Sequence, residues 1–354
     1  MKRLMAKKYQ QGMTLIEVLI ALALSAVLST VVYQTVISNR TNIEISDSYA
    51  VVQESARLAM EILSRDIRML GYLGCVNNVS KLNIWLDTDD SDYDASLHDF
   101  SSSLDAVDNY DPGSDAAYAT LLGATPVTDS DLLINRSATM SDLTVDMTPS
   151  DTAANLHVAG PQSQKDLLTL GQVVMVTDCT SADVFTVSND TGGGSLTVPH
   201  NIGTIAGGPD NKQKDLSVVY DKTSQILIMN STVHFIAPSA VIPGVNSLYK
   251  YSILNGGSVE MVPYVESLQF TYGVDSNGDS TVDGYMTAGE IATAGISMTD
   301  NVYSVKVEIV VAGDKDVGAP VPSGYTINGT APTDGKLRKR YTRVVQIRNS
   351  AIGG

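Results

Sequence analysis

From Leu15 to Val32 the chain runs for 18 residues with a single charge, Glu17. At about 1.5 Å per residue, a helix of that length reaches about 27 Å, close to the hydrocarbon thickness of a bilayer. Lys2, Arg3, Lys7 and Lys8 precede it with no acidic residue among them. A positive flank of this kind stays cytoplasmic, which sends the remainder across the membrane. Past the span the apolar residues change period. Val52, Ala56, Ala59, Leu63, Ile67 and Leu70 recur at the spacing of one helix face, with Glu54/Arg57 and Glu61/Arg65 off that face at pairing distance. No proline occurs before Pro112, and Gly71 and Gly74 stop the pattern, so one helix is expected from near Met13 to Leu70.

Three kinds of N-terminus share such a stretch. A secretory signal would be cut near Ala21-Leu22-Ala23 or Leu24-Ser25-Ala26, yet apolar residues continue to Val36. A plain anchor accounts for length and orientation but leaves a carboxylate, Glu17, inside the span. The third is more specific: Gly12-Met13-Thr14-Leu15-Ile16-Glu17-Val18-Leu19-Ile20-Ala21-Leu22 resembles the class III signal of type IV pilins and type II secretion pseudopilins. The resemblance implies cleavage between Gly12 and Met13 by a membrane prepilin peptidase, methylation of the new Met13 amine, and Glu17 as the fifth mature residue. Many pilins begin with phenylalanine; this chain has Met13 there. An ammonium and a carboxylate about one helical turn apart are each costly in an apolar setting and tolerable together. Pairing between neighbouring subunits would set the register of a helical bundle.

From Asn77 onward the pattern becomes short strands between Gly, Pro, Asn and Asp turns. Strand-like runs are 131–134, 172–176, 217–220, 225–228, 233–236 and 268–272, then alternation at Val305, Val307 and Ile309, and a last run at Val344, Val345 and Ile347. The expected fold is α+β and pilin-like, a long N-terminal helix packed on a large antiparallel β head of two sheets. Its expected parts are a leader (1–12), a transmembrane and filament-core helix (13–36), an amphipathic stalk helix (37–74) and the head (75–354).

Four later stretches, Ser64 to Cys75, Val174 to Cys179, Leu248 to Tyr251 and Val265 to Asp275, resemble PilW-type minor pilins. Such proteins are similar to the J-type minor pseudopilin of type II secretion, which keeps that assembly as an alternative. The resemblance implies a Cys75–Cys179 disulfide, permitted outside the cytoplasm. It also implies a role in priming pilus assembly at or near the tip, serving twitching motility, adhesion and DNA uptake. The implied partners are other minor pilins, the major pilin, a tip adhesin, the prepilin peptidase and the inner-membrane assembly platform. The protein is then expected in the inner membrane with its head in the periplasm, and afterwards in the pilus.

Composition bears on the other classes. Acidic residues outnumber basic ones 39 to 23, a balance of −16 that disfavours a nucleic-acid surface. His98, His157, His200 and His234 lie far apart in sequence, and two cysteines make no CxxC pair, so no local zinc motif exists. No nucleophile–base spacing or cofactor fingerprint stands out, and neither an enzyme nor a cofactor is expected. A membrane-anchored adhesive module and a secreted hydrolase are the competing classes. Ten aspartates between Asp87 and Asp115 read as a solvated insertion, and Thr191–Ser195 as a glycine turn. The basic cluster Lys336, Arg338, Lys339, Arg340 and Arg343 reads as charge along an edge strand. Asp275, Asn277, Asp279, Thr281 and Asp283 place oxygens at alternating positions, a candidate calcium loop, with Ser280 where an EF-hand has glycine.

Overall fold

The computed structural model describes residues 12–76, 81–147, 152–189, 197–327 and 329–349. Residues 1–11 of the leader and the glycine turn at 191–195 lie outside the described residues. One helix, α1 (Leu15–Arg68), runs for 54 residues, a length of about 80 Å. Thr14 caps it, its hydroxyl accepting the Glu17 backbone N–H at 3.4 Å. At the far end Gly71 and Gly74 both have φ +66, a region glycine enters freely. At Gly74 an added Cβ would also lie 2.8 Å from a Leu227 methyl.

Residues 12–47 are exposed throughout; burial begins at Ser48. From there Val52, Ala56, Ala59, Leu63, Ile67 and Leu70 are all buried, as their spacing predicts. They pack on a four-stranded sheet ordered β12 (Gly284–Met286), β11 (Val265–Val274), β13 (Val302–Asp316) and β14 (Lys336–Gln346). Val305, Val307 and Ile309 point into that seam together with Leu268, Phe270 and Tyr272. The two alanines keep the helix close to the sheet.

A ten-stranded sheet forms the rest of the head. Its spine is the antiparallel pair β3 (Leu132–Met147) and β8 (Gln225–Pro238), in register Leu133 to His234 and Ile134 to Val233. On one side follow β5 (Val173–Thr177), β6 (Ala182–Thr186) and β1 (Leu82–Ile84), on the other β4 (Asn155–Ala159) and β7 (Thr197–Pro199). β2 (Leu104–Val107) pairs with β3, while β9 (Asn246–Ser252) and β10 (Gly257–Pro263) extend from β8. β1 and β6 run parallel; the other ladders are antiparallel. Short helices α2 (Ala95–His98), α3 (Ala116–Leu122), α4 (Gln162–Lys165) and α5 (Ala288–Ala294) fill connections.

The two sheets are stitched at Ser130 and Asp131. The Asp131 N–H donates to the Leu268 carbonyl at 2.8 Å, and its carboxylate accepts the N–H groups of Phe270 (2.7 Å) and Asn109 (2.8 Å). Burial pushes this carboxyl up to about 7, aided by Asp108 and opposed by those two N–H donors.

Three expectations change. Residues 225–228 and 233–236 form one strand, because Asn230 to Thr232 continue the ladder opposite β3. Residues 217–220 are not a strand: the Ser217 N–H, Ser217 hydroxyl and Tyr220 hydroxyl all donate to one Asp183 oxygen at 2.8–2.9 Å, which holds the segment over the sheet. Neither Glu54/Arg57 nor Glu61/Arg65 forms an ion pair among the described residues; the Arg65 Nε sits 3.2 Å from Asp66 instead.

Cys75 and Cys179 are joined by a disulfide, with their Cα atoms 5.2 Å apart across 104 residues of sequence. It fastens the end of α1 to the turn between β5 and β6. Replacing both cysteines by serine should lower head stability by about 5 kcal/mol, the loop-entropy value for a closed loop of that size. Denaturant midpoints with and without reductant measure it; two alkylated thiols in unreduced protein would contradict the bridge.

Candidate assembly interface

The N-terminal half of α1 is apolar, exposed and touched by no part of the head. An 18-residue window within it has a mean hydropathy of 2.5, and none of that window is buried. Leu15 (78 %), Leu22 (63 %) and Val32 (62 %) show how completely it is presented. Three hydroxyls in this stretch are satisfied within the helix. Ser25, Thr30 and Thr35 donate to the carbonyls of Ala21, Ala26 and Val31 at 2.7–2.9 Å. Such a surface calls for an apolar surround. Gly12 and Met13 precede the cap and are exposed. Glu17 stands in the first turn, exposed, where the positive end of the helix dipole also favours a carboxylate.

How this lever joins the head depends on Asp66, which lies beside the buried stripe. Its Oδ2 is 3.0 Å from the His234 Nε2 on β8 and 2.7 Å from the Lys250 Nζ on β9, while Oδ1 meets Arg65. The Asp66 carbonyl accepts from the Asn135 amide at 3.1 Å. The helix is thereby pinned to β3, β8 and β9 by one residue. Burial alone would raise the Asp66 carboxyl; the imidazole and the ammonium outweigh it and hold it well below the usual carboxylate range. With the Nε2 proton facing Asp66, His234 Nδ1 has no partner among the described residues. No motif in the sequence announces this joint. The local signal was a carboxylate one position before Ile67, against the apolar face.

The basic cluster does more than line an edge. Arg338 is buried and clamped by Glu266 (2.7 Å) and Asp334 (2.6 Å), which fastens the loop before β14 and holds the Asp334 carboxyl at about 2 through those bonds. Arg340 pairs with Glu308 at 3.1 Å, and Lys339 reaches the Tyr49 hydroxyl at 2.8 Å and lies over its ring. The Asp-rich segment is likewise anchored: Leu97, Phe100, Leu104 and Tyr110 are buried, and the Arg136 guanidinium donates to the Ala95, Ser96 and Ser102 carbonyls.

The 275–283 loop is brought together, but on itself. Asp275 accepts the N–H groups of Asn277, Gly278 and Ser280 at 2.7–3.1 Å, Asp279 accepts from Thr281, and Asp283 accepts from Ser276 and the Asn277 amide. Burial would raise the Asp275 carboxyl, and its amide donors bring it below the usual value. Among the described residues no group of three or more His, Cys, Asp or Glu side chains is arranged to hold a metal ion. As folded, these oxygens accept the loop's own donors, and such turns give the loop a structural reason to be rich in Asp and Asn.

Residues 240–349 match the family model described as type IV pilus-assembly protein W, and residues 7–33 match the prokaryotic N-terminal methylation motif. The second match spans Gly12, Met13 and Glu17. Among solved structures, the type IV-like pilin TTHA1219 from Thermus thermophilus aligns at 16% identity over 35% of this chain and 70% of that chain, with a TM-score of 0.19, too slight a superposition to bear on the fold. The comparison with curated proteins finds no match.

The ion cluster sets a pH dependence. Because folding lowers the Asp66 pKa from 3.8, its contribution is complete above that value and is lost as pH falls through the folded one. Asp66→Asn should flatten the acid limb of the head's melting curve. Asp66→Ala should cost about 3 kcal/mol, as expected when a buried pair loses one member, and denaturant titration at neutral pH checks it.

Proposed function

We propose that this PilW-type pilin is a minor pilin that primes assembly of a type IV pilus and sits at or near its tip. The observation that carries the reading is the exposed apolar half of α1, whose one charge between Leu15 and Val36 is Glu17 and which overlaps the methylation-motif match. A helix of this kind needs an apolar surround twice over, first lipid and then the helices of neighbouring subunits. In the inner membrane α1 stores the subunit with its head on the periplasmic side. After the prepilin peptidase cuts between Gly12 and Met13, the methylated Met13 amine and the Glu17 carboxylate of adjacent subunits pair in the bundle. That contact fixes axial register, since each charge is costly until it meets the other.

The head then offers its sheet edges and loops to other minor pilins, the major pilin and a tip adhesin. Twitching motility, adhesion and DNA uptake follow from the appendage rather than from chemistry in this chain. The role proposed is structural.

Mass spectrometry of the N-terminal peptide from the membrane fraction tests the reading, with and without the prepilin peptidase. A methylated Met13 that depends on the peptidase is the expected result. An N-terminus at Leu24 or Val27 means a secreted protein and an uncut chain means a plain anchor; either overturns the proposal. Glu17→Ala should be processed normally yet be missing from sheared pili. Normal piliation by that variant would falsify the register role.

A further inference from the structure

Where the last turns of α1 meet the end of the chain there is an open cleft of about 520 Å³. Four guanidinium groups line it: Arg65 and Arg68 from the helix, Arg343 from β14, and Arg348 beyond it. Glu61 is the one carboxylate in its wall. In a chain with 39 acidic and 23 basic residues, four arginines converging on one acid is unexpected. Arg68 and Arg348 hold no carboxylate among the described residues, and the Arg343 Nη1 makes a hydrogen bond to the Ser64 hydroxyl at 3.2 Å. Arg65 shares Asp66 with His234 and Lys250, so that carboxylate is already occupied.

Cations in the last turn of a helix favour its dipole, which accounts for Arg65 and Arg68. It does not account for Arg343 and Arg348, which arrive from elsewhere in the sequence. Charge along an edge strand blunts aggregation, but Arg343 is turned against the helix, where it lines the cleft with the other three.

We infer that this cleft receives a carboxylate-bearing peptide segment of a neighbouring subunit. Guanidinium groups match carboxylates in paired hydrogen bonds, and unpaired arginines are ready to make them. Exposed aliphatic surface in the same wall, including Met69 at 42 %, suits a peptide better than a bare anion. β14 is the edge of its sheet, so backbone hydrogen-bonding groups lie open beside the arginines. A lipid headgroup is out of reach, because Arg65 stands about 44 Å along a continuous helix from Val36. A duplex would meet a chain of net charge −16 over most of its approach, whereas a short acidic segment enters locally. Identifying the neighbour as a pilus subunit rests on the minor-pilin reading; the chemistry of the cleft does not.

The full chain in non-ionic detergent should bind a short fluorescent peptide rich in aspartate and leucine, saturably and less tightly as salt rises. The same peptide with asparagine for aspartate should not bind. Arg68→Gln with Arg348→Gln should weaken binding about tenfold or more, at an unchanged melting temperature, since both side chains are exposed and unpaired. No binding at low salt, equal binding by the double variant, or preference for inorganic phosphate or duplex DNA over the acidic peptide would each overturn the inference. Methylation at Met13 is unaffected by any of these outcomes, so the two readings fail separately.

Discussion

A helix of about 80 Å cannot bury all of itself against one small head, and α1 divides the problem along its length. The face running from Val52 to Leu70 is closed chiefly by β13 and β14, with β10 and β11 completing the same core. The small sheet covers the stripe, and the large sheet is joined to the small one through Ser130 and Asp131. Both elements that follow the helix, the turn at Gly71 and Gly74 and then Cys75, depend on where the stripe ends. Without a sheet of the right width at the seam the helix would have two unsatisfied halves rather than one.

The stripe was legible because its period is local and its residues are unambiguous: six apolar positions at helical spacing, uninterrupted by proline. The middle of β13 was equally plain from Val305, Val307 and Ile309 alternating with Lys306 and Glu308, although the strand runs from Val302 to Asp316. Residues 217–220 misled for a physical reason. Ser-Val-Val-Tyr has the composition of a strand, but Asp183, more than thirty residues earlier, captures the hydroxyls at both ends and bends the segment into a clamp. Local composition cannot report a carboxylate that arrives from another strand.

The helix–head joint was hidden for the same reason. Asp66, His234 and Lys250 are brought together across 168 and 184 residues; His234 belongs to no short motif, and the Leu248–Tyr251 stretch that holds Lys250 carries no sign of its partner. Only Asp66 carried a trace of it, as a charge set against a buried face. The 275–283 loop shows the converse. Its alternating oxygens suggested a cation, and the folded loop turns those oxygens onto its own amides. Oxygen spacing in a tight loop is shared by ion cages and by Asx turns, so the pattern alone does not choose between them.

The joint at Asp66 and the bridge at Cys75 make α1 and the head one rigid piece, and no proline or glycine interrupts the helix between Thr14 and Met69. Mechanically this is a crank. A tilt of about 5° where the apolar half is gripped would carry the head sideways by about 4 Å over the intervening arm. Rotation of the helix about its axis would likewise sweep the head around it without slack. Whatever holds the buried end therefore aims the exposed one, and a load applied to the head is returned undiminished to the helix that anchors it.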